Sequence, residues 1–145
     1  MKKIFIKITV VLLLFAPLSS FAYSSITREK LDFDDSLATQ EKEYSMPKKI
    51  LVTQIQSPVS SLSSEPESWV KQLYYYSITR LGFADIPFNY LIDRSGRVYE
   101  GCDGYDGVNP ELMENEGSIL IGYLSNTPDF TLPAKESLRE LIIEQ

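Results

Sequence analysis

The side chains of this 145-residue chain that could carry acid–base or metal chemistry are carboxylates and one thiol, because the sequence contains no histidine. A Ser-His-Asp or Cys-His relay is therefore excluded. A zinc site would have to use carboxylates and the single Cys102, which is a poor set for tetrahedral zinc. The remaining candidates are acidic residues in the second half of the chain: Asp93, Glu100, Asp103, Asp106, Glu111, Glu114 and Glu116.

Two kinds of chemistry are open to these carboxylates by type alone. A pair across a cleft could hydrolyse a glycosidic bond, but no spacing singles out a pair, and runs of charge usually face water. The segment 103–116 could offer oxygen ligands to calcium, but it does not match the twelve-residue calcium loop with glycine at position six and glutamate at twelve. The pattern therefore favours a long, solvated acidic loop.

The elements that would position this loop follow the order strand, helix, hairpin, strand, helix. The runs "KILVTQI" from Lys49 and "SILIGYL" from Ser118 are apolar and rich in β-branched residues, which predicts two buried strands. "FNYLID" and "RVYEG" flank Arg94-Ser95-Gly96 and predict a hairpin with glycine at the position that tolerates positive φ. Together these patterns predict an α/β (mixed α+β) domain with a small central mixed sheet flanked by helices.

Two amphipathic helices complete this prediction. Ser64 and Glu67 have the spacing of a capping box, and the helix after them is predicted to end near Gly82. A second helix opens at Thr131. The predicted buried positions are Trp69, Val70, Leu73, Tyr76 and Leu81 in the first helix, and Leu138, Leu141 and Ile142 in the second.

The amino-terminal part of the chain predicts export. Residues 1–22 combine lysines, a short apolar run and the small residues Ser20 and Ala22, as a signal peptide does; a retained membrane anchor is the alternative, although the run is short for a span. Removing these residues takes away three lysines and no acid, so the formal net charge changes from −6 to −9. Such an acidic surface disfavours nucleic acid and anionic lipid as partners. We expect a periplasmic or extracellular protein.

The mature chain then divides into two parts. Residues 23–48 are polar and acidic without sustained periodicity, which predicts a solvated leader or linker, and residues 49–145 form the domain. Cys102 has no second cysteine to pair with inside the chain. It could cross-link to a partner, but a buried thiol is the favoured interpretation.

Five segments, in this order, resemble a known family: "ILVTQI", "ADIPFNYLIDRSGRVYEGC", "GVN", "SILIGYLSN" and "TLPAKESLRELI". The resemblance is to the zinc-dependent N-acetylmuramoyl-L-alanine amidases and the related peptidoglycan recognition proteins, and it covers about residues 49–143. It implies an amidase-like mixed sheet with helices on its faces and a groove that holds a muropeptide.

The departures from this family bear on its chemistry. By resemblance, Thr53 and Gln54 stand where the first zinc-ligand histidine would be, and Phe88 where a tyrosine hydroxyl polarises the amide. Asn109 replaces a histidine and Cys102 an arginine. The family's other two zinc ligands lie in a final strand and loop beyond the matched segments, so we expect the domain to be incomplete at its carboxyl end.

These replacements predict the loss of zinc chemistry. Zinc activates water only when three protein ligands hold it, and a missing oxyanion donor costs on the order of 10²–10³ in rate. We therefore expect no cofactor, no catalytic residue and no metal site. The prediction is an exported domain that binds peptidoglycan or a muropeptide without zinc-dependent hydrolysis.

The residues that the resemblance places in the groove supply hydroxyl, amide and aromatic groups: Thr53, Gln54, Phe88, Tyr90, Arg97, Tyr105 and Asn109. Strand alternation predicts that Phe88 and Tyr90 share one face, although for Tyr90 a place in the core is favoured. Three alternatives stay open. These are an active amidase completed by ligands from a partner, a truncated relic without function, and an exported protein-interaction domain.

Overall fold

A computed structural model of the chain describes residues 24–38, 46–102 and 117–144. Its centre is a five-stranded sheet in the order β1-β4-β3-β5-β2. β5 pairs in parallel with both β2 and β3, β1 pairs in parallel with β4, and β3 and β4 are antiparallel. The sheet is therefore mixed, as the sequence predicted. The strands are β1 (Ser25–Ile26), β2 (Lys49–Ile55), β3 (Tyr90–Asp93), β4 (Val98–Glu100) and β5 (Ser118–Leu124).

Within the described residues, three α-helices accompany the sheet: α1 (Arg28–Leu31), α2 (Pro66–Tyr76) and α3 (Leu132–Glu144). α2 packs Trp69, Val70 and Tyr74 on one face of the sheet, and α3 packs Ala134 and Leu141 on the other. We call these the α2 face and the α3 face. In none of the described ranges is a helix long and apolar enough to cross a membrane.

The α2 helix differs from the prediction at its start and on its buried side. Ser60–Ser64 forms a 3₁₀ turn, the Ser64 hydroxyl donates to the Ser61 carbonyl at 2.7 Å, and the helix begins at Pro66 without the predicted capping box. Tyr74 is buried, whereas Tyr76 is exposed, because positions 70 and 74 lie one turn apart on the packed side. The predicted end is confirmed: after a π turn at Ser77–Leu81, Gly82 adopts a φ of 72°.

The predicted leader is folded over part of its length, which corrects that prediction. β1 extends the sheet beside β4, where the Val98 N–H donates to the Ser24 carbonyl at 2.9 Å. Leu31 is buried, and Phe33 stacks on Tyr74 with ring centroids 4.2 Å apart. The segment 24–38 therefore belongs to the domain core, because it supplies apolar side chains that the helix α2 covers.

Arg28 holds this segment in place. Its guanidinium donates to the Asp85 carboxylate at 3.1 Å, to Asp35 at 2.6 Å and to the Gly101 carbonyl at 2.6 Å. Asp85 is fully buried and the Arg28 side chain is nearly so. Burial lowers the pKa of Arg28, but the charges of Asp85 and Asp35 raise it more, and the net shift is upward. Arg28 therefore stays charged at any relevant pH.

The hairpin is built around the buried carboxylate of Asp93. Its Oδ1 accepts from the Ser95 and Arg97 backbone N–H groups at 2.7 and 3.1 Å, and its Oδ2 accepts from the Tyr99 hydroxyl at 2.7 Å. Gly96 has a φ of 85°, as the sequence predicted for this turn. Both oxygens of the Asp93 carboxylate are thus used in hydrogen bonds that stabilise the turn, and Asp93 is not a candidate general acid or base.

Two buried tyrosines give the fold a pH dependence on the alkaline side. Burial and the hydrogen bond to Asp93 raise the pKa of Tyr99; burial and the charge of Asp35 raise the pKa of Tyr74. Above pH about 10 the unfolded chain loses these protons while the folded chain keeps them. The free energy of unfolding should therefore fall as the pH rises from about 10. Urea unfolding of wild type and of Tyr99→Phe between pH about 8 and 11 tests this. The variant should show a shallower decline, whereas Tyr76→Phe, at a position that is 56% exposed, should match wild type.

Candidate functional site

The site on the α2 face is organised by one row of residues across the sheet. The strand registers pair Thr53 with Gly122, Gly122 with Leu91, Leu91 with Tyr99, and Tyr99 with Ile26. Leu91 and Tyr99 are buried under α2, whereas Thr53, on the outer strand β2, is exposed. The residues of this row are therefore covered by α2 at Leu91 and Tyr99 and exposed to solvent at Thr53.

Gly122 sets the shape of this open end. A Cβ added at Gly122 would collide with the Ile55 Cδ1 atom and would lie 3.1 Å from the Phe88 Cδ1 atom. Phe88 and Ile55, both half-buried, meet over the glycine and form an apolar floor beside the Thr53 hydroxyl. Gly122 was not among the predicted site residues, although a glycine inside an apolar strand often marks such a close approach.

Gln54 lies on the opposite face from Thr53, because successive strand residues alternate. Its Nε2 donates to the Ser125 carbonyl at 2.7 Å and to the Thr127 carbonyl at 2.8 Å. The structure therefore separates the two residues that the resemblance placed together. Gln54 ties β2 to the loop after β5.

The prediction that Phe88 and Tyr90 share a face is wrong. Phe88 packs against the α2-face core, and Tyr90 packs against the α3-face core. Alternation does not extend to Phe88, because β3 begins only at Tyr90 and the preceding backbone is irregular. The Cys102 and Gly101 N–H groups donate to the carbonyls of Phe88 and Asn89 at 2.8 and 2.9 Å. Tyr90 is half-buried against the α3-face core and also lines a cavity, so the core position that was favoured for it is taken only in part.

The other predicted residues divide between the hairpin and segments that are not described. Arg97 is exposed, and its guanidinium lies 3.4 Å from the Glu67 carboxylate in the first turn of α2. Cys102 is buried, as predicted. The Glu100 carboxylate accepts a hydrogen bond from the backbone N–H of Arg28 at 2.9 Å. Tyr105 and Asn109 lie outside the described residues, as does the acidic loop 103–116.

A second opening lies between the segment 24–38 and the hairpin. It is a cavity of about 570 Å³ whose walls carry one guanidinium, four carboxylates and two aromatic rings. This cavity was not predicted from the sequence, because a segment interpreted as a solvated leader would form no wall. The lining residues are Thr27, Arg28, Glu29, Asp32, Phe33, Asp35, Asn89, Tyr90, Glu100 and Cys102.

Arg94 and Asp129 form an ion pair that joins two loops of the structure. The Arg94 guanidinium donates to both carboxylate oxygens of Asp129, at 3.2 and 3.0 Å. Hydrogen bonds from Arg94 and Thr127 lower the pKa of Asp129 to about 2. This pair joins the hairpin turn to the loop before α3, and because both side chains are well exposed it adds little stability.

The described residues do not fit a zinc ion. Thr53 offers a neutral hydroxyl, and the Gln54 amide is engaged by two backbone carbonyls. Zinc requires thiolate, imidazole or carboxylate ligands. Within 24–38, 46–102 and 117–144, no three residues of the types His, Cys, Asp and Glu are grouped so that they could hold a metal.

The fold is that of the peptidoglycan recognition proteins. Peptidoglycan recognition protein-LE in complex with tracheal cytotoxin has a TM-score of 0.69 at 20% identity, over 83% of this chain and 72% of that one. PGRP-Hd from Alvinella pompejana has a TM-score of 0.68 at 24% identity, over 84% and 77%. Human PGRP-IBETAC in complex with glycosamyl muramyl pentapeptide has a TM-score of 0.62 at 19% identity, over 84% and 74%.

The sequence is similar to the same class of protein. Peptidoglycan recognition protein 1 of Mus musculus is 33% identical over 89 residues, which make up 59% of this chain and 48% of that protein. The match thus spans about half the length of the curated relative. No family model matches the chain. The resemblance and the fold class inferred from the sequence are confirmed.

Proposed function

We propose that this chain is an exported domain that binds peptidoglycan or a muropeptide and does not hydrolyse it by zinc chemistry. One observation carries the proposal: the chain has the fold of proteins whose structures contain tracheal cytotoxin or a muramyl pentapeptide, yet its sequence has no histidine. Thr53 and Phe88 stand at positions where the family carries groups for metal binding and amide polarisation.

The α2-face site offers groups that suit binding. The Phe88 ring, held half-exposed over Gly122, provides a flat apolar surface for a sugar or a stem-peptide side chain. The exposed Thr53 hydroxyl can donate one hydrogen bond and accept others at the rim. None of these groups needs a metal to act, so binding should survive without one.

Sedimentation with insoluble peptidoglycan sacculi tests the proposal. Protein purified from cells that express the full chain should bind saturably, muropeptides should compete, and a chelator should leave binding unchanged. Added zinc should produce no cleavage of the muramoyl-alanine amide.

Two results would contradict it. Protein that is folded by circular dichroism and stays in the supernatant would remove the binding function and favour the relic or protein-interaction alternatives. Cleavage that depends on zinc and stops with the chelator would establish the amidase alternative, with ligands supplied from outside this chain.

A further inference from the structure

The side chain of Asn89 continues the pairing between β3 and β5 just before β3 begins. The first residue of β3, Tyr90, is in register with Ile121. One residue earlier, the Asn89 N–H donates to the Leu120 carbonyl at 2.9 Å, as in a parallel ladder. The Leu120 N–H donates to the Asn89 side-chain Oδ1 at 2.9 Å, where a regular ladder would supply a backbone carbonyl. The carboxamide of Asn89 therefore takes the place of a main-chain acceptor.

The backbone of Phe88 can leave the regular strand conformation because of this exchange. In a strand, consecutive carbonyls point to opposite sides, but those of Phe88 and Asn89 both point to the segment after β4. The Cys102 N–H donates to the first at 2.8 Å, and the Gly101 N–H donates to the second at 2.9 Å. A Cβ on Gly101 would lie only 1.9 Å from the Phe88 carbonyl oxygen, so this close approach requires glycine. Strand alternation would put Phe88 on the face of Tyr90, whereas the observed backbone turns its ring to the α2 face.

We infer that Asn89 is a positioning residue of the α2-face site: its carboxamide completes the sheet in place of the backbone and so holds the Phe88 ring over Gly122. Asn89 is 4% exposed, so it acts through the ring and not on a ligand. Asparagine suits this place because its oxygen accepts a hydrogen bond without burying a charge. The inference rests on the proposed function only where it assigns the ring to ligand binding, since the placement of the ring is a property of the fold.

The contacts of the Phe88 ring test its placement without any ligand. In protein purified from cells that express the full chain, nuclear Overhauser effects should join the ring protons of Phe88 to the Gly122 Hα, because a Cβ at Gly122 would lie 3.1 Å from the Phe88 Cδ1 atom. Asn89→Leu is close in size but cannot accept a hydrogen bond, and it should lose these contacts. Asn89→Asp keeps an oxygen acceptor in the same place and should retain them.

Ser137→Ala is the matched control for a loss of stability alone. The Ser137 hydroxyl is buried and donates to the Gly96 carbonyl at 2.6 Å, so this variant also removes a buried hydrogen bond between a side chain and the backbone. Ser137 belongs to α3, which packs on the other face of the sheet. Ser137→Ala should therefore leave the contacts between the Phe88 ring and Gly122 unchanged.

Affinity for peptidoglycan sacculi distinguishes positioning from direct contact with the ligand. Asn89→Leu should weaken binding about as much as Phe88→Ala, by roughly tenfold, and Ser137→Ala should not weaken it. The double variant Asn89→Leu/Phe88→Ala should bind as weakly as Phe88→Ala alone, because residues that act as one unit are not additive. Asn89 also lines the cavity beside the segment 24–38. A ligand contact made there would cause the two losses to add.

A measurement on the wild-type chain does not depend on any variant folding. A hydrogen bond transmits a scalar coupling from the donor nitrogen to the acceptor carbonyl carbon, so a coupling should join the Leu120 backbone nitrogen to the Asn89 side-chain carbonyl carbon. Absence of this coupling, ring contacts that persist in Asn89→Leu, ring contacts that are lost equally in Ser137→Ala, or additive losses of affinity would each overturn the inference. A wild-type chain that does not bind sacculi would contradict the proposed function, while the ring contacts would still decide the role of Asn89.

Discussion

Replacing Arg28 with methionine should lower the free energy of unfolding by about 3 kcal/mol, because the buried carboxylate of Asp85 loses the positive charge that offsets its burial. Asp85 is fully buried and loses the guanidinium that lies 3.1 Å away. The Gly101 carbonyl loses a donor at the same time. Urea unfolding followed by circular dichroism measures the change.

The matched control is Arg94→Met. Arg94 also binds an aspartate through two hydrogen bonds, but its side chain is 42% exposed, and an ion pair screened by solvent in this way contributes little stability. Limited trypsin digestion adds a local readout, since release of the segment 24–38 should expose the bond after Lys30. If Arg28→Met lost no more stability than Arg94→Met, and Lys30 stayed protected, the amino-terminal segment would not be part of the core.

The strands β2 to β5, which include the hairpin, were predictable because their signals are local; β1 lies in the segment that was taken for a leader. β5 is a continuous apolar run, β2 is rich in β-branched residues, and the turn at Gly96 follows from one residue that tolerates positive φ. The prediction that β2 is buried is wrong, because none of its seven positions is buried. The strand β5 is buried at every position, as an uninterrupted apolar strand in the middle of a parallel region should be. Patterns of this kind depend only on residues that are close together in the chain, and they were sufficient to predict a mixed sheet with helices.

The contacts that position the site were not predictable, because they join residues far apart in the chain. Nothing near Arg28 indicates that its partner is Asp85, 57 residues away, so a polar acidic segment was taken for a solvated leader. Gln54 has the right type for a ligand contact, but its amide is used by carbonyls more than 70 residues away. The face of Phe88 depends on an irregular backbone that strand alternation does not describe.

Because Phe88 and Tyr90 lie on opposite faces of the sheet, alanine substitutions at the two positions should differ in their effect on peptidoglycan binding. Phe88→Ala should weaken binding to peptidoglycan by roughly tenfold or more, because it removes the aromatic surface of the α2-face site, and tenfold corresponds to about 1.4 kcal/mol. Phe88→Tyr keeps the ring and should bind like wild type. It should still not cleave, since the hydroxyl alone supplies no zinc ligand.

Tyr90→Ala is the control that separates binding from stability. Phe88 and Tyr90 are both half-buried and each packs on one core cluster, so both alanine variants should lose a similar amount of stability, about 2 kcal/mol. Only Phe88→Ala should lose affinity for sacculi, because Tyr90 lies on the α3 face, away from Thr53 and Gly122. Equal losses of affinity in the two variants would show that binding depends on the fold as a whole and not on the α2-face site. A loss confined to Tyr90→Ala would instead move the site to the cavity that this residue lines with the segment 24–38.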